Sequence, residues 1–165
     1  MSDNGPWLSD EQQTAWRAYI EVRQRLDTHL YRHLQRDFGL SGADYEVLVN
    51  LSESAAGRMR AFELGEMTRW EKSRLSHHIK RMEQRGLVRR EACAGSRFPD
   101  IVLTDEGWDA IRTAAPKHAA NVRAFFGEGV GDERLDVFAA ACKGIVAAID
   151  EHERTSCPLE DSDDR

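Results

Sequence analysis

The sequence predicts a mainly α-helical fold with one small β-hairpin, and three observations carry that expectation. Apolar residues recur at helical spacing in a long segment near each terminus and in a shorter central one, Lys72 to Arg85, where Leu75, Ile79 and Met82 line one face. Helix-start signals stand ahead of several helical segments, with Ser9, Ser41 and Thr104 at cap positions. Paired strand-like runs flank a glycine-containing loop between Leu87 and Leu103.

Taken in order, residues 1–8 form an N-terminal arm. Met1 to Pro6 is polar and expected to be mobile, whereas Trp7 and Leu8 are apolar and should dock, most simply on a second subunit. Residues 9–38 form a dimerisation helix. Ser9 caps it, Asp10 and Glu11 follow in the first turn, and Gln12 sits at the capping-box position. Trp16, Tyr19, Ile20, Leu26, Leu30 and Leu34 give it an apolar stripe, and Gly39 ends it.

Residues 39–104 form a central lobe. Ser41 caps the next helix, with Asp44 at its third position and Leu40 poised to pack on Tyr45. That helix carries Leu48, Val49 and Leu51 to about Ser54, and Ala55-Ala56-Gly57 breaks it. A short helix near Phe62 to Thr68 is expected to offer Phe62, Leu64 and Met67 to the core, although its start lacks a good cap. Trp70 occupies the following turn, where a large ring packs under the next helix or lines a cavity. After the helix Lys72 to Arg85, Gly86 acts as terminator. Leu87 to Ala92 is expected to pair with Asp100 to Leu103, with Pro99 limiting that pairing.

Residues 105–153 form C-terminal dimerisation helices. Thr104 caps the first, Asp105 and Glu106 favour its positive end, and Pro116 should kink it. Gly127 to Glu133 is a connector, and Leu135, Phe138, Cys142, Ile145 and Ile149 make a seam on the last helix. Residues 154–165, with four acidic side chains, form a disordered acidic tail. One chain of 165 residues cannot readily bury both terminal stripes as well as a central core, so a two-fold dimer built on the terminal helices is expected.

Charge locates the functional face. The chain carries 23 Lys and Arg against 29 Asp and Glu, a formal net charge of −6. Between Arg69 and Arg97, nine basic residues face only Glu71, Glu83 and Glu91, a local balance of +6, so the remainder sums to −12. On the helix Lys72 to Arg85, the face opposite the apolar seam presents Ser73, His77, Lys80 and Gln84, flanked by Arg74, Ser76 and Arg81. A basic helix at helix-turn-helix spacing, followed by a basic hairpin, is the electrostatic footprint of a double-stranded-DNA-binding winged helix-turn-helix.

Other functional classes find little support. An apolar run long enough to span a bilayer and a charged-then-apolar leader are both absent, which points to the cytoplasm and away from membranes. Cys93, Cys142 and Cys157 are odd in number and lack CxxC spacing, against a disulfide framework or zinc site. His29 and His33 stand four apart on one helical face, a weak metal signal set against ordinary solvation or packing. Phosphate-cradling glycine loops, GxSxG, HExxH and catalytic Cys/His patterns do not occur, so neither an enzyme nor a cofactor is expected.

At these residues the chain resembles the multiple-antibiotic-resistance regulator (MarR) family of winged helix-turn-helix transcription factors. Glu63-Leu64 opens the first motif helix, SRLSHHIKRME (Ser73 to Glu83) matches the recognition helix, and RGLVRRE (Arg85 to Glu91) and LTDEG (Leu103 to Gly107) bracket the wing. Arg97 stands where the family places its wing-tip arginine, and the resemblance extends over Trp7 to His152. Two departures stand out. Lys80 precedes Arg81 where many members carry Asp, and the wing tip reads Gly95-Ser96-Arg97 where Asp-x-Arg or Asp-Arg-Arg is common.

On this reading Ser73, Arg74, Ser76 and His77 face base edges, while Lys72, Lys80, Arg81, Arg89 and Arg90 hold phosphates. Arg97 enters the minor groove. His78, nearer the buried seam, is structural. The resemblance implies a homodimeric bacterial repressor on a pseudo-palindromic operator, released by a phenolic or aromatic acid. Trp16, Tyr19, Arg23 and Tyr45 are the candidate ligand walls and carboxylate partner, or else core residues and a surface charge. The alternatives are a redox-responsive regulator using Cys93, which follows Arg89 and Arg90 at the expected wing base, and a winged-helix protein-interaction module without DNA binding.

Overall fold

The computed structural model describes residues 7–92 and 98–156. It is mainly helical, with a small three-stranded antiparallel sheet, as the sequence predicts. Two units are distinguished, residues 1–122 and 123–165.

In the first unit, α1 spans Asp10–Phe38. Its start is the expected capping box: the Ser9 hydroxyl accepts from the Gln12 N–H at 3.2 Å, and the Gln12 side chain accepts from the Ser9 N–H at 2.9 Å. Gly39 ends it at φ +64, a left-handed conformation in which its N–H donates to Gln35. Helix α2, Gly42–Glu53, opens on a second box, in which Asp44 accepts from the Ser41 N–H at 2.8 Å.

A short turn over Ala55–Gly57 leads into β1, Arg58–Arg60, a strand that the sequence pattern did not announce. Helix α3, Ala61–Thr68, starts without a capping hydroxyl. The Glu63 carboxylate reaches back instead and accepts from the Arg60 N–H at 2.9 Å. Helix α4, Lys72–Gln84, follows after a turn in which Arg69 adopts φ +53.

Strands β2, Val88–Glu91, and β3, Asp100–Leu103, pair in antiparallel register with Val88 opposite Leu103 and Glu91 opposite Asp100. The order is β1-β3-β2, so β3 is the central strand and all four of its residues are buried. Pro99 sits one residue before it, where its missing N–H costs neither ladder a rung.

The core gathers Leu34, Val47, Leu48, Leu51, Leu64, Leu75, Ile79, Met82, Val88, Ile101 and Ile111. One expectation needs correction. Leu64 is buried, but Phe62 and Met67 are 60% and 62% exposed. A helix of eight residues turns a narrow face inward, and Leu64 and Thr68, four apart, take it.

Helix α5, Asp105–Val122, is capped by Thr104, whose hydroxyl accepts from the Gly107 N–H at 3.0 Å and donates to the Gly86 carbonyl. It packs against α1 and α2 and continues as helix through Pro116. In the second unit, helical turns over Arg123–Gly127 and α6, Glu128–Val130, precede α7, Leu135–Ser156, which runs three residues past the expected boundary at 153. Phe126 meets Phe138 edge-on at 5.3 Å. No residue of α7 is buried, and Val137, Ile145, Val146 and Ile149 are all exposed. No described helix is long and apolar enough to cross a membrane.

Candidate nucleic-acid interface

Helix α4 divides into two faces. Leu75, His78, Ile79 and Met82 are buried, whereas Lys72, Ser73, Arg74, Ser76, His77, Lys80 and Arg81 are all exposed. The helix has no acidic residue in its first turn, and the side chain of its N-cap, Glu71, makes no capping hydrogen bond. That end of a helix favours an anion.

The orientation of α4 is set from behind. His78 is buried at 5% exposure, with Nε2 lying 3.1 Å from the Asp44 carboxylate and Nδ1 2.9 Å from the Arg81 guanidinium. Since Arg81 can only donate, Nδ1 is the acceptor, which puts a ring proton on Nε2, the nitrogen nearer Asp44. At the far end of α4, Arg85 donates to Asp44 at 2.7 Å and to the Gly39 carbonyl at 2.7 Å. Burial pushes the Asp44 carboxyl up, but bonds from His78, the Ser41 N–H and Arg85 outweigh it and hold the group well below the ordinary carboxylate range.

The strands separate the two arginines that the sequence offered together. Arg89 and Arg90 are successive residues of β2 and project from opposite faces of the sheet. Arg90 turns toward α4, 3.5 Å from Glu83. Arg89 lies on the other face, bonded to Glu91 at 2.7 Å and to the Leu103 carbonyl at 3.3 Å. Arg58 joins the same cluster, 2.6 Å from Glu91 and 3.3 Å from Asp100. The Arg89 and Arg58 guanidiniums outweigh the effect of desolvation and hold the Glu91 carboxyl low. Arg97 and Cys93 lie outside the described residues.

The cleft itself and the stacking of Arg74 on Trp70 escaped the sequence, although Trp70 does line a cavity and pack against α4 as it suggested. A cleft of about 1210 Å³ opens between α3, the start of α4 and the wing strands, with Phe62, Trp70, Phe98 and Ile101 among its walls and Arg60, Lys72 and Arg90 at its edge. Trp70, half-buried in the turn, carries the Arg74 guanidinium over its ring at 4.4 Å and meets the His78 ring edge-on at 5.2 Å. The spacing 70, 74, 78 was the available signal, but Trp70 precedes the helix and its place on that face is set by the turn.

The candidate ligand residues fall into two places. Trp16 and Tyr19 stand 5.6 Å apart on exposed α1, with Arg23 at 5.8 Å from the Tyr19 ring. Tyr45 lies instead against His118 of α5, ring to ring at 4.4 Å. Burial raises the Tyr45 hydroxyl and lowers His118 from their ordinary values. His29 and His33 rings approach to 4.6 Å, and among the described residues no group of three His, Cys, Asp or Glu is placed to hold a metal.

The MarR family model matches residues 38–97, from the end of α1 into the wing. The crystal structure of AbsC, a MarR family transcriptional regulator from Streptomyces coelicolor, is 42% identical, with a TM-score of 0.84 over 89% of this chain and 99% of that one. The chain belongs to the MarR family. Sco3205, a MarR family transcriptional regulator from the same organism solved in complex with DNA, is 37% identical, with a TM-score of 0.83 over 89% of this chain and 92% of that one. Sco5413, a third MarR family regulator from that organism, is 25% identical with a TM-score of 0.67, over 86% and 98% of the two chains. No curated protein matches the sequence. As a MarR family transcriptional regulator the protein is a non-enzymatic DNA-binding protein.

Proposed function

We propose that the protein is a homodimeric repressor that binds a pseudo-palindromic operator and is released by a small aromatic acid. The observation that carries the DNA half is the exposed cationic face of α4 above a fully buried seam. Ser73, Arg74, Ser76 and His77 read base edges in the major groove. Lys72, Lys80, Arg81 and Arg90 hold phosphates, and Arg97 enters the minor groove. Arg89, already held by Glu91 and Leu103, contributes to the field more than to a contact.

Dimerisation is supported by apolar surface that one chain leaves in water. Trp16, Tyr19 and Val22 on α1, and Val137, Ile145 and Ile149 on α7, are at least half exposed. A second copy covers both helices, and two-fold symmetry presents two α4 helices to successive major grooves about 34 Å apart. The effector reading rests on Trp16, Tyr19 and Arg23, which together offer two ring faces and one cation. Release follows if the ligand prefers the spacing of the two lobes that misfits DNA.

The deciding experiment is capture from a genomic fragment library at two salt concentrations, with sequencing of what the purified protein retains. A short inverted repeat recovered at both salts supports the operator reading. Retention that is wholly salt-sensitive and lacks sequence preference leaves a non-specific DNA binder, and no retention at all overturns the proposal in favour of a protein-interaction role.

A further inference from the structure

We propose that Trp70 is a specificity-determining positioning residue: its indole face holds the Arg74 guanidinium in the plane needed to read one base pair of each half-site. The inference rests on the reading of Arg74 as a base contact and adds the device that makes the contact selective.

The geometry is a short stack that runs from the core to the surface. Arg74 sits one helical turn after Trp70, its guanidinium carbon 4.4 Å from the ring centroid. The ring is held in turn. The Trp70 main-chain N–H donates to the Gly65 carbonyl at 3.2 Å, which fixes the backbone that carries the ring, and the left-handed Arg69 before it fixes the direction in which the turn leaves α3. The ring meets His78 at 90° and 5.2 Å, and His78 is buried and pinned by Asp44 at 3.1 Å. The exposed end of the stack is therefore anchored, through two rings, on a buried carboxylate.

Such a platform suits bidentate recognition. Guanine presents two acceptors in the major groove, and an arginine meets both only when its donor edge lies in the base plane. A guanidinium stacked on an indole spends its faces on the ring and keeps its N–H edge free. The side chain then surrenders less rotational freedom when it docks, and a misaligned base gains nothing from its flexibility. A phosphate contact would need no such orientation, because charge alone suffices there.

The test compares the full-length protein with Arg74→Ala, Trp70→Leu, Trp70→Phe and the double variant Trp70→Leu/Arg74→Ala. Each is selected against its operator with every position randomised, and the slope of affinity against salt is measured alongside. Arg74→Ala is expected to flatten the preference at one symmetric pair of positions. Trp70→Leu should flatten the same pair by about three- to tenfold, leave other positions and the salt slope unchanged, and add nothing to Arg74→Ala in the double variant. Trp70→Phe keeps a ring and should restore part of the preference.

If Arg74→Ala flattens a pair that Trp70→Leu leaves sharp, Trp70 is only packing and the proposal fails while the reading of Arg74 stands. If Arg74→Ala flattens no position, Arg74 does not read bases and both fall. Should Trp70→Leu bind no DNA, the Phe variant decides. A graded loss confined to the Arg74 pair supports the platform, and a uniform loss across all sequences overturns it.

Discussion

Arg85 donates to the buried Asp44 carboxylate at 2.7 Å across 41 positions of sequence, and the same carboxylate lies 3.1 Å from His78 Nε2. One side chain thus helps close the cap of α2 and meets α4 at two points, His78 and its C-cap Arg85, about two turns apart. Helix α4 takes its orientation from this buried anion.

Removal of Asp44 should therefore cost more than a surface ion pair. Asp44→Ala strands a buried histidine and uncaps α2, and an expected loss of about 3 kcal/mol follows from breaking a buried pair whose other member, Arg85, is part-exposed. The pH dependence has a definite sign. The folded-state pKa of Asp44 is depressed, so its contribution is present above the unfolded value near ~3.9 and is lost as pH falls toward the folded value. Denaturant unfolding of wild type and Asp44→Asn should differ by a constant amount from about pH 5 to 7 and converge below about pH 4. A gap that persists undiminished at low pH would mean that the carboxylate charge is not what matters.

Two glycines make a paired test of packing. A Cβ on Gly107 would lie 2.1 Å from the Leu87 carbonyl oxygen, and neither backbone can yield without breaking the Thr104 cap between wing and α5. A Cβ on Gly65 would meet nothing nearer than 3.7 Å. Gly107→Ala should destabilise by about 2 kcal/mol or more, whereas Gly65→Ala, inside α3, should be neutral or stabilising by up to about 1 kcal/mol. Thermal melts of the two variants give the comparison directly, and equal melting temperatures would contradict it.

How far these relationships could be read from the sequence depends on their range. Capping is local, so Ser9 with Gln12 and Ser41 with Asp44 announced both helix starts correctly. The inward face of α4 followed from periodicity, including the structural role of His78. Strand β1 was missed because three residues, Arg58 to Arg60, carry no apolar alternation and owe their strand to a partner 40 residues away. Arg89 and Arg90 looked equivalent as a basic pair, and only the pleat of β2 separates one toward α4 from one toward Glu91. The Asp44–Arg85 bond spans too much sequence for any local pattern to reveal.

The proposed dimer makes a separate prediction. Ile145 lies 60% exposed on α7, beside Val146 and Ile149. A charge there is harmless to an isolated chain but intolerable in an apolar interface between copies. Ile145→Asp should sediment as a monomer at concentrations where wild type is a dimer, and operator affinity should fall by at least tenfold once two half-sites are no longer joined. An unaltered sedimentation coefficient would place the interface elsewhere.

Effector release is tested on α1. A phenolic acid at saturation should weaken operator binding by the wild-type protein, and Arg23→Ala, which removes the cation beside Tyr19, should lose most of that response while binding the operator normally without ligand. If saturating phenolic acids leave wild-type affinity unchanged, the effector reading goes.

The phosphate assignments can be separated by salt. Each phosphate contact contributes about 0.9 to the slope of log affinity against log salt, and a two-fold complex carries each contact twice. Lys80→Ala and Arg90→Ala should each make the slope shallower by about 1.8. Arg89→Ala should change it little, because that guanidinium is spent on Glu91 and the Leu103 carbonyl. Its cost should appear instead in stability, through the Arg58–Glu91–Asp100 cluster left one cation short. Arg97→Ala should weaken operator binding, most of all where the flanking sequence is A·T-rich and its minor groove narrow. Equal slopes for Arg89→Ala and Arg90→Ala would show that the sheet does not divide the two arginines in the complex. An unchanged affinity for Arg97→Ala at moderate salt would remove the wing tip from the interface and leave α4 to read the operator alone.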